Sequence, residues 1–169
     1  MKSVYLTTTC LVSLATATRN FAALAYGDAI PKEAVAQNCD FPAYYTVSNF
    51  KTFTPTSSNE TEITFGYLDN DTNITTTCSL NSTSTNIASE YSTPKYACDN
   101  SLVDFYWSNK KLTMVEVACS TSPEHYLVSG SWIPTLSCQN CTDGVECATT
   151  GNETAHQGTF TSIEPDNSE

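Results

Sequence analysis

The chain has 169 residues, 40% of them hydrophobic, and a formal net charge of −11. That length gives room for one domain, and so acidic a surface repels a phosphate backbone, which excludes nucleic acid as a partner. Eight cysteines in so short a chain point to an oxidising compartment and a disulfide-stapled fold.

In chain order, Lys2 and the apolar stretch 4–17, with Leu6, Leu11, Val12 and Leu14, read as a signal peptide too short to span a bilayer. Small residues offer cleavage after Ala17 or after Ala25. The organisation expected is a signal peptide at 1–25, a leader or disordered segment at 26–38, a β domain at 39–163 and a disordered tail at 164–169. With no second long apolar run, export without a membrane anchor is expected. Cys10 leaves with the signal, and Cys39, Cys78, Cys98, Cys119, Cys138, Cys141 and Cys147 remain. An odd count implies a free thiol or an intermolecular bridge.

Short runs then alternate apolar and polar residues, the mark of half-buried strands. Tyr45 and Val47 open the first, in YYTVSNFKTF. Ile63, Phe65 and Tyr67 share one face of TEITFGYL, and NITTTC follows. SLVDFYW sets Val103, Phe105 and Trp107 against Leu102, Asp104 and Tyr106. KLTMVEVAC, after a turn at Asn109-Lys110, pairs with HYLVSGSW, and GTFTSI near Phe160 is a last, weak strand. Residues 80–91 read as a polar loop with room for one helical turn at 86–90. The fold class expected is all-β: a small antiparallel barrel or sandwich of about seven strands.

Catalytic constellations are nearly absent. His125 sits at a hairpin turn and His156 in a polar tail, neither in a metal-ligand or nucleophile motif. Asp104 and Glu116 alternate with apolar neighbours inside strands, and a hairpin would turn both to one solvated outer face, the only candidate acid/base pair. Cys138, Cys141, Cys147 and His156 could be read as a zinc set, but an exported chain favours disulfides. No cofactor is expected. Six Asn-x-Ser/Thr sequons, at Asn59, Asn70, Asn73, Asn81, Asn140 and Asn152, predict N-glycans on some of these asparagines.

The order of motifs resembles the Alternaria major-allergen-like family of small secreted fungal proteins, which includes elicitors of plant defence. The resemblance is carried by Tyr45-Thr46-Val47-Ser48-Asn49-Phe50, Ile63-Thr64-Phe65, Thr77-Cys78-Ser79, Lys95-Tyr96-Ala97-Cys98, Ser101 with Asp104-Phe105, and the hairpin segments 112–117 and 126–132. It spans about residues 39–163, nearly the whole expected domain. It implies a compact antiparallel barrel without established catalytic activity. It also implies bridges Cys78–Cys98 and Cys138–Cys147, and a route to a disulfide-linked homodimer through Cys39. A Cys78–Cys98 loop would stabilise by roughly 3 kcal/mol on the chain-entropy estimate. This chain departs from the family pattern in carrying Cys119 and Cys141 and in having Tyr45 where Trp is usual, so Cys39 has internal partners as well. In an up-and-down arrangement Cys39 lies at the opposite end from Cys119 and at the same end as Cys138 and Cys141. That disfavours Cys39–Cys119 and permits Cys39–Cys141.

The functional expectation is a secreted, non-enzymatic, effector-like or allergen-like protein. It would bind a host (plant) extracellular protein or a small apolar ligand, with Tyr106 or Trp132 as anchors. The alternatives are a structural cell-wall or cell-surface glycoprotein and a carbohydrate-active protein using Asp104 and Glu116.

Overall fold

The computed structural model describes residues 29–30, 39, 41–58, 60–90 and 92–166. The signal peptide, most of the leader and the sequon asparagine Asn59 lie outside them.

Eleven strands and one short 3-10 turn, Gly151–Thr154, make up the regular structure of the described residues. One antiparallel sheet has the order β3 (Thr75–Leu80), β2 (Glu62–Asp69), β1 (Tyr44–Pro55), β9 (Gly144–Thr149), β8 (Leu136–Cys141), with β10 (Ala155–Thr159) also paired to β1. The other runs β11 (Ser162–Pro165), β7 (Tyr126–Trp132), β6 (Lys111–Ala118), β5 (Val103–Ser108), β4 (Lys95–Ala97). The class is all-β and antiparallel. The two ladders stay separate, so the molecule is a sandwich rather than a closed barrel.

Period-two alternation places the inner faces. Ile63, Phe65 and Tyr67 of β2 face Val103 and Phe105 of β5 and Met114 of β6, all nearly or fully buried in one cluster. β1 breaks the alternation once. Its register shifts between Ser48 and Lys51, and Asn49 takes φ +52°. This bulge lets Val47 and Phe50, three residues apart, both point inward without exposure. It also divides the strand's far edge: residues 44–48 pair with β10 and residues 51–55 with β9. At the Asn109-Lys110 turn both residues have positive φ, +53° and +60°, as a two-residue hairpin between twisted strands requires.

The sheets are laced at both sides. The Asp99 N–H donates to the Thr77 carbonyl at 2.9 Å and the Asn100 N–H to Thr76 Oγ1 at 2.8 Å. On the opposite side the chain changes sheets at fully buried Phe160, whose N–H bonds Ala43 O while the Thr161 N–H bonds Ser129 O. The GTFTSI strand is therefore two strands, one in each sheet. Tyr45 lies flat where a Cβ on Gly158 would stand 2.2 Å, and one on Gly130 2.7 Å, from its ring, so these two glycines make room for the buried aromatic.

Two further expectations change. Residues 86–90 form no helical turn: the Asn86 carboxamide oxygen accepts the Ala88 and Lys95 N–H groups and folds the loop back on β4. The tail does not loosen at Glu164, because Glu164 and Pro165 pair with Leu127 and Tyr126, and the Asp166 N–H bonds His125 O.

Candidate functional site

The proposed acid/base pair does not form. In the β5–β6 register Asp104 stands opposite Val115, while Glu116 stands opposite Val103. Adjacent positions of a strand face opposite ways, so the two carboxylates lie on different faces of the sheet. Asp104 is outside and ion-pairs with Lys95 at 2.9 Å. Burial alone would lower the Lys95 pKa, but the hydrogen bond and charge of Asp104 outweigh it and the net shift is upward. Glu116, expected on a solvated face, is 1% exposed.

Glu116 instead meets a carboxylate from the facing sheet. Asp69 extends the inward series Ile63, Phe65, Tyr67 by one step and is fully buried. Tyr67 Oη donates to Glu116 Oε2 at 2.6 Å. Asp69 is itself held by the Asp71 N–H at 2.9 Å and by the Thr72 hydroxyl. Desolvation pushes the Glu116 carboxyl up to about 8; the Tyr67 hydrogen bond opposes this, and the charge and hydrogen bond of Asp69, then the charge of Asp71, add to it. Glu116 is thus largely protonated at neutral pH and can donate to Asp69. The same burial and acidic neighbours hold the Tyr67 phenol far above its ordinary range. A cleft of about 790 Å³, lined by Glu116, Thr72, Ile74, Leu102 and the Cys39–Cys119 bridge, opens this end of the sandwich to solvent. Glu116 is the member of the cluster that lines this cleft, with its carboxyl engaged by Tyr67 and Asp69.

At the other end, where β1 reaches Pro55, the gap between the sheets forms a cleft of about 630 Å³. Its walls include Leu80 at the end of β3 and Asn81 in the turn that follows, with Tyr96 and Trp107 from the other sheet and Glu60 and Glu62 at the rim. A third cleft, about 650 Å³, lies on the outer face around Tyr106, Lys111, Thr113 and Ile133. Tyr106 is half-buried there, and Ile133, 67% exposed, is one of the few large apolar side chains in water among the described residues. Trp132 is not a surface anchor: it is 8% exposed and stacks on His156 at 4.2 Å between ring centroids. His156 belongs to β10, paired with Val47, rather than to a polar tail. His125 is exposed at the end of the β6–β7 connection.

Disulfides join Cys39 to Cys119, Cys78 to Cys98 and Cys138 to Cys147, and Cys141 is free and exposed. The parity expectation that separated Cys39 from Cys119 and allowed Cys39–Cys141 is overturned. It omitted β4, three residues long, and one omitted strand reverses the end at which every later strand finishes. With β4 in place, β6 ends beside the start of β1, and the Cys39 and Cys119 Cα atoms stand 5.4 Å apart. Cys141 closes β8 opposite Gly144, which pairs with Pro55 at the far end of β1. Cys138 and Cys147 are direct cross-strand partners, so the zinc reading has lost two of its ligands to a bridge. Among the described residues no three metal-ligating side chains converge, and no helix is long and apolar enough to cross a membrane. The sequon asparagines Asn73, Asn81, Asn140 and Asn152 are exposed. Asn70 is half-buried, its Oδ1 accepting from Thr46 Oγ1 at 3.0 Å.

Sequence reasoning missed Asp69 and Tyr67 as partners of Glu116. The signal was present in β2, where one more step of the inward alternation reaches Asp69.

Two antiparallel sheets laced by disulfides, with open ends and a buried carboxyl cluster, define a small stapled β-sandwich of the kind that persists in oxidising surroundings. Its fold is that of the Alternaria allergen-like proteins: the crystal structure of Alternaria alternata allergen Alt a 1 is similar at a TM-score of 0.51 and 15% identity, covering 72% of this chain and 89% of that one. A second crystal structure of the same major allergen gives a TM-score of 0.49, 15% identity and coverages of 73% and 96%. No protein-family model matches the chain. No curated protein matches it in sequence.

Proposed function

We propose that the protein is secreted, is not an enzyme, and acts as an effector-like or allergen-like module that binds a host extracellular protein or a small apolar ligand. The observation that carries this reading is the outer-face cleft, where exposed Ile133 and half-buried Tyr106 offer apolar contact beside Lys111 and the Thr113–Ser131 hydroxyl pair. Aromatic side chains are enriched in recognition surfaces, and an exposed apolar contact with a polar rim is the usual mark of one. The separation of Asp104 from Glu116 supports the non-enzymatic part, since a carboxylate pair must face one cleft to work on a substrate.

The test is capture from plant apoplastic fluid by the wild type and by a Tyr106→Ala, Ile133→Ser double variant. Loss of a captured partner, with thermal stability unchanged, is expected in the variant. Equal capture by both would refute the assignment of this surface. Independently, Asp104→Asn with Glu116→Gln should leave the effect on plant tissue unchanged; a folded variant that has lost it, together with turnover of a wall polysaccharide by the wild type, would refute the non-enzymatic reading.

A further inference from the structure

We infer that the end cleft walled by Tyr96 and Trp107 is the seat of the chain's own N-glycan, carried on Asn81 and stacked by its core sugars on those two rings. The inference rests on the secretory reading above.

Three observations converge on this cleft. The first is attachment. Asn81 opens an Asn-Ser-Thr sequon, is exposed, and itself lines the cleft. Its Oδ1 accepts both the Thr83 N–H at 2.9 Å and the Thr83 hydroxyl at 2.7 Å. The local turn therefore holds the carboxamide by its oxygen and does not use the nitrogen to which a glycan is joined. The second is the wall. Trp107 packs on Phe50 at 5.3 Å and Tyr96 on Phe105 at 5.7 Å between ring centroids. Both remain only half-buried, so each is fixed by the core while part of its surface lines the cleft. Rigid, amphipathic aromatic walls suit the apolar C–H faces of pyranose rings. The third is the rim. Glu60 and Ser84 border the opening and offer hydrogen-bond partners to sugar hydroxyl and acetamido groups. The volume, about 630 Å³, falls within the roughly 300–1,000 Å³ of pockets that enclose small ligands. A glycan tethered at the wall has a high effective concentration there, which lets weak stacking fill the site.

The covalent step is ordinary N-glycosylation from a lipid-pyrophosphate-linked oligosaccharide. A bond forms between the Asn81 carboxamide nitrogen and the anomeric carbon of the terminal N-acetylglucosamine. The bond from that carbon to the phosphate oxygen breaks, the lipid pyrophosphate leaves, and one amide proton is released. No electrons are exchanged with an external acceptor.

Asn73 and Asn152 are exposed sequon asparagines that line none of the clefts described above, and they serve as internal references. The full chain is secreted from a eukaryotic host that adds high-mannose glycans. The native protein is treated with an endoglycosidase that cuts between the two core N-acetylglucosamines, and release is followed site by site by peptide mass spectrometry. Release at Asn81 is expected to be roughly tenfold slower than at Asn73 or Asn152, which corresponds to a docked state favoured by about 1.4 kcal/mol. Trp107→Ala should abolish the lag and Trp107→Phe, which keeps a ring, should preserve it. Tyr96→Ala serves as a second variant if Trp107→Ala is not secreted. Equal release at all three sites in the wild type would overturn the inference. So would an unmodified Asn81 beside glycosylated Asn73 and Asn152, which leaves the secretory reading standing. A chain with no glycan at any sequon would overturn both.

Discussion

Glu116→Gln should remove a pH dependence of stability that the wild type carries in its interior. The Glu116 carboxyl ordinarily titrates at 4.5 and is pushed up to about 8 by burial and by Asp69. A raised acid binds its proton more tightly in the folded than in the unfolded state. Its contribution is therefore complete below the unfolded pKa, falls as pH rises, and is lost once pH passes the folded pKa. Between the two values each pH unit costs about 1.4 kcal/mol, so the full span is worth about 5 kcal/mol. That is a ceiling, because water in the adjoining cleft screens the ionised form. Roughly 4 kcal/mol of it falls between about pH 5 and pH 8.5. Glutamine keeps an oxygen to accept from Tyr67 and an N–H to give to Asp69, so near pH 5 the variant should match the wild type within about 1 kcal/mol. Near pH 8.5 the variant should be the more stable by several kcal/mol. Denaturant unfolding of both proteins at four or five pH values gives the difference curve, in which the repulsion of the general acidic surface cancels. Parallel stability profiles for the two proteins would refute the protonated Asp69–Glu116 pair.

Three other outcomes are expected. Bridge removal should cost stability in the order of loop length: sequence separations of 80, 20 and 9 correspond to roughly 4.5, 3.3 and 2.6 kcal/mol. Replacing Cys39 should therefore be the most damaging and Cys138 the least; calorimetry showing the reverse order would contradict the pairing. The mature native chain should show one reactive thiol, at Cys141, by alkylation and peptide mapping, and a labelled Cys119 would mean that Cys39 is engaged elsewhere. Tyr45→Phe should raise stability by about 1 kcal/mol in thermal or denaturant melts, since the Tyr45 hydroxyl is buried and has no hydrogen-bond partner; a loss of stability would show that the hydroxyl is satisfied.

What could be read in the sequence was whatever depends on neighbours along the chain. Period-two alternation marks β2, β5 and β7 because each has one apolar face. It marks β6 badly, because apolar residues occupy both faces: Leu112 and Met114 share the inward face with Glu116, while Val115, itself buried, and Val117 lie on the other, so the side to which Glu116 belongs has no local contrast. β8 and β9 are not legible as strands: apart from buried Gly144 and Thr149, residues 136–149 are half or fully exposed and mostly polar, and a hairpin with two largely wet faces shows no alternation. The Asp69–Glu116 contact joins two sheets across 47 positions of sequence and depends on how the sheets face one another, which no window along the chain contains.

The Cys39 pairing shows how one local omission becomes a global error. β4 is three residues long, carries the half-buried pair Lys95 and Tyr96, and follows a polar loop, so by composition it is the end of a loop. Its identity as a strand comes from β5: Tyr96 lies opposite Phe105, and Lys95 opposite Tyr106, with Lys95 also ion-paired to Asp104. These are cross-strand contacts, and a three-residue strand is stable only through them. Omitting it reverses the direction assigned to β5, β6 and β7 together, and Cys119 moves from one end of the sandwich to the other, a distance of about 20 Å for strands of this length. A disulfide reaches only about 7 Å between Cα atoms, so the choice of partner turns on that single reversal. The Cys39–Cys119 bridge then forms part of the wall of the cleft at the end of the sandwich where Glu116 and Asp69 meet. Cutting it by Cys39→Ser should widen that cleft, let more water reach the pair and bring the apparent pKa of Glu116 down toward its ordinary value; the wild-type and Cys39→Ser titrations of the Glu116 carboxyl carbon, followed by NMR, would coincide if the bridge had no part in the desolvation.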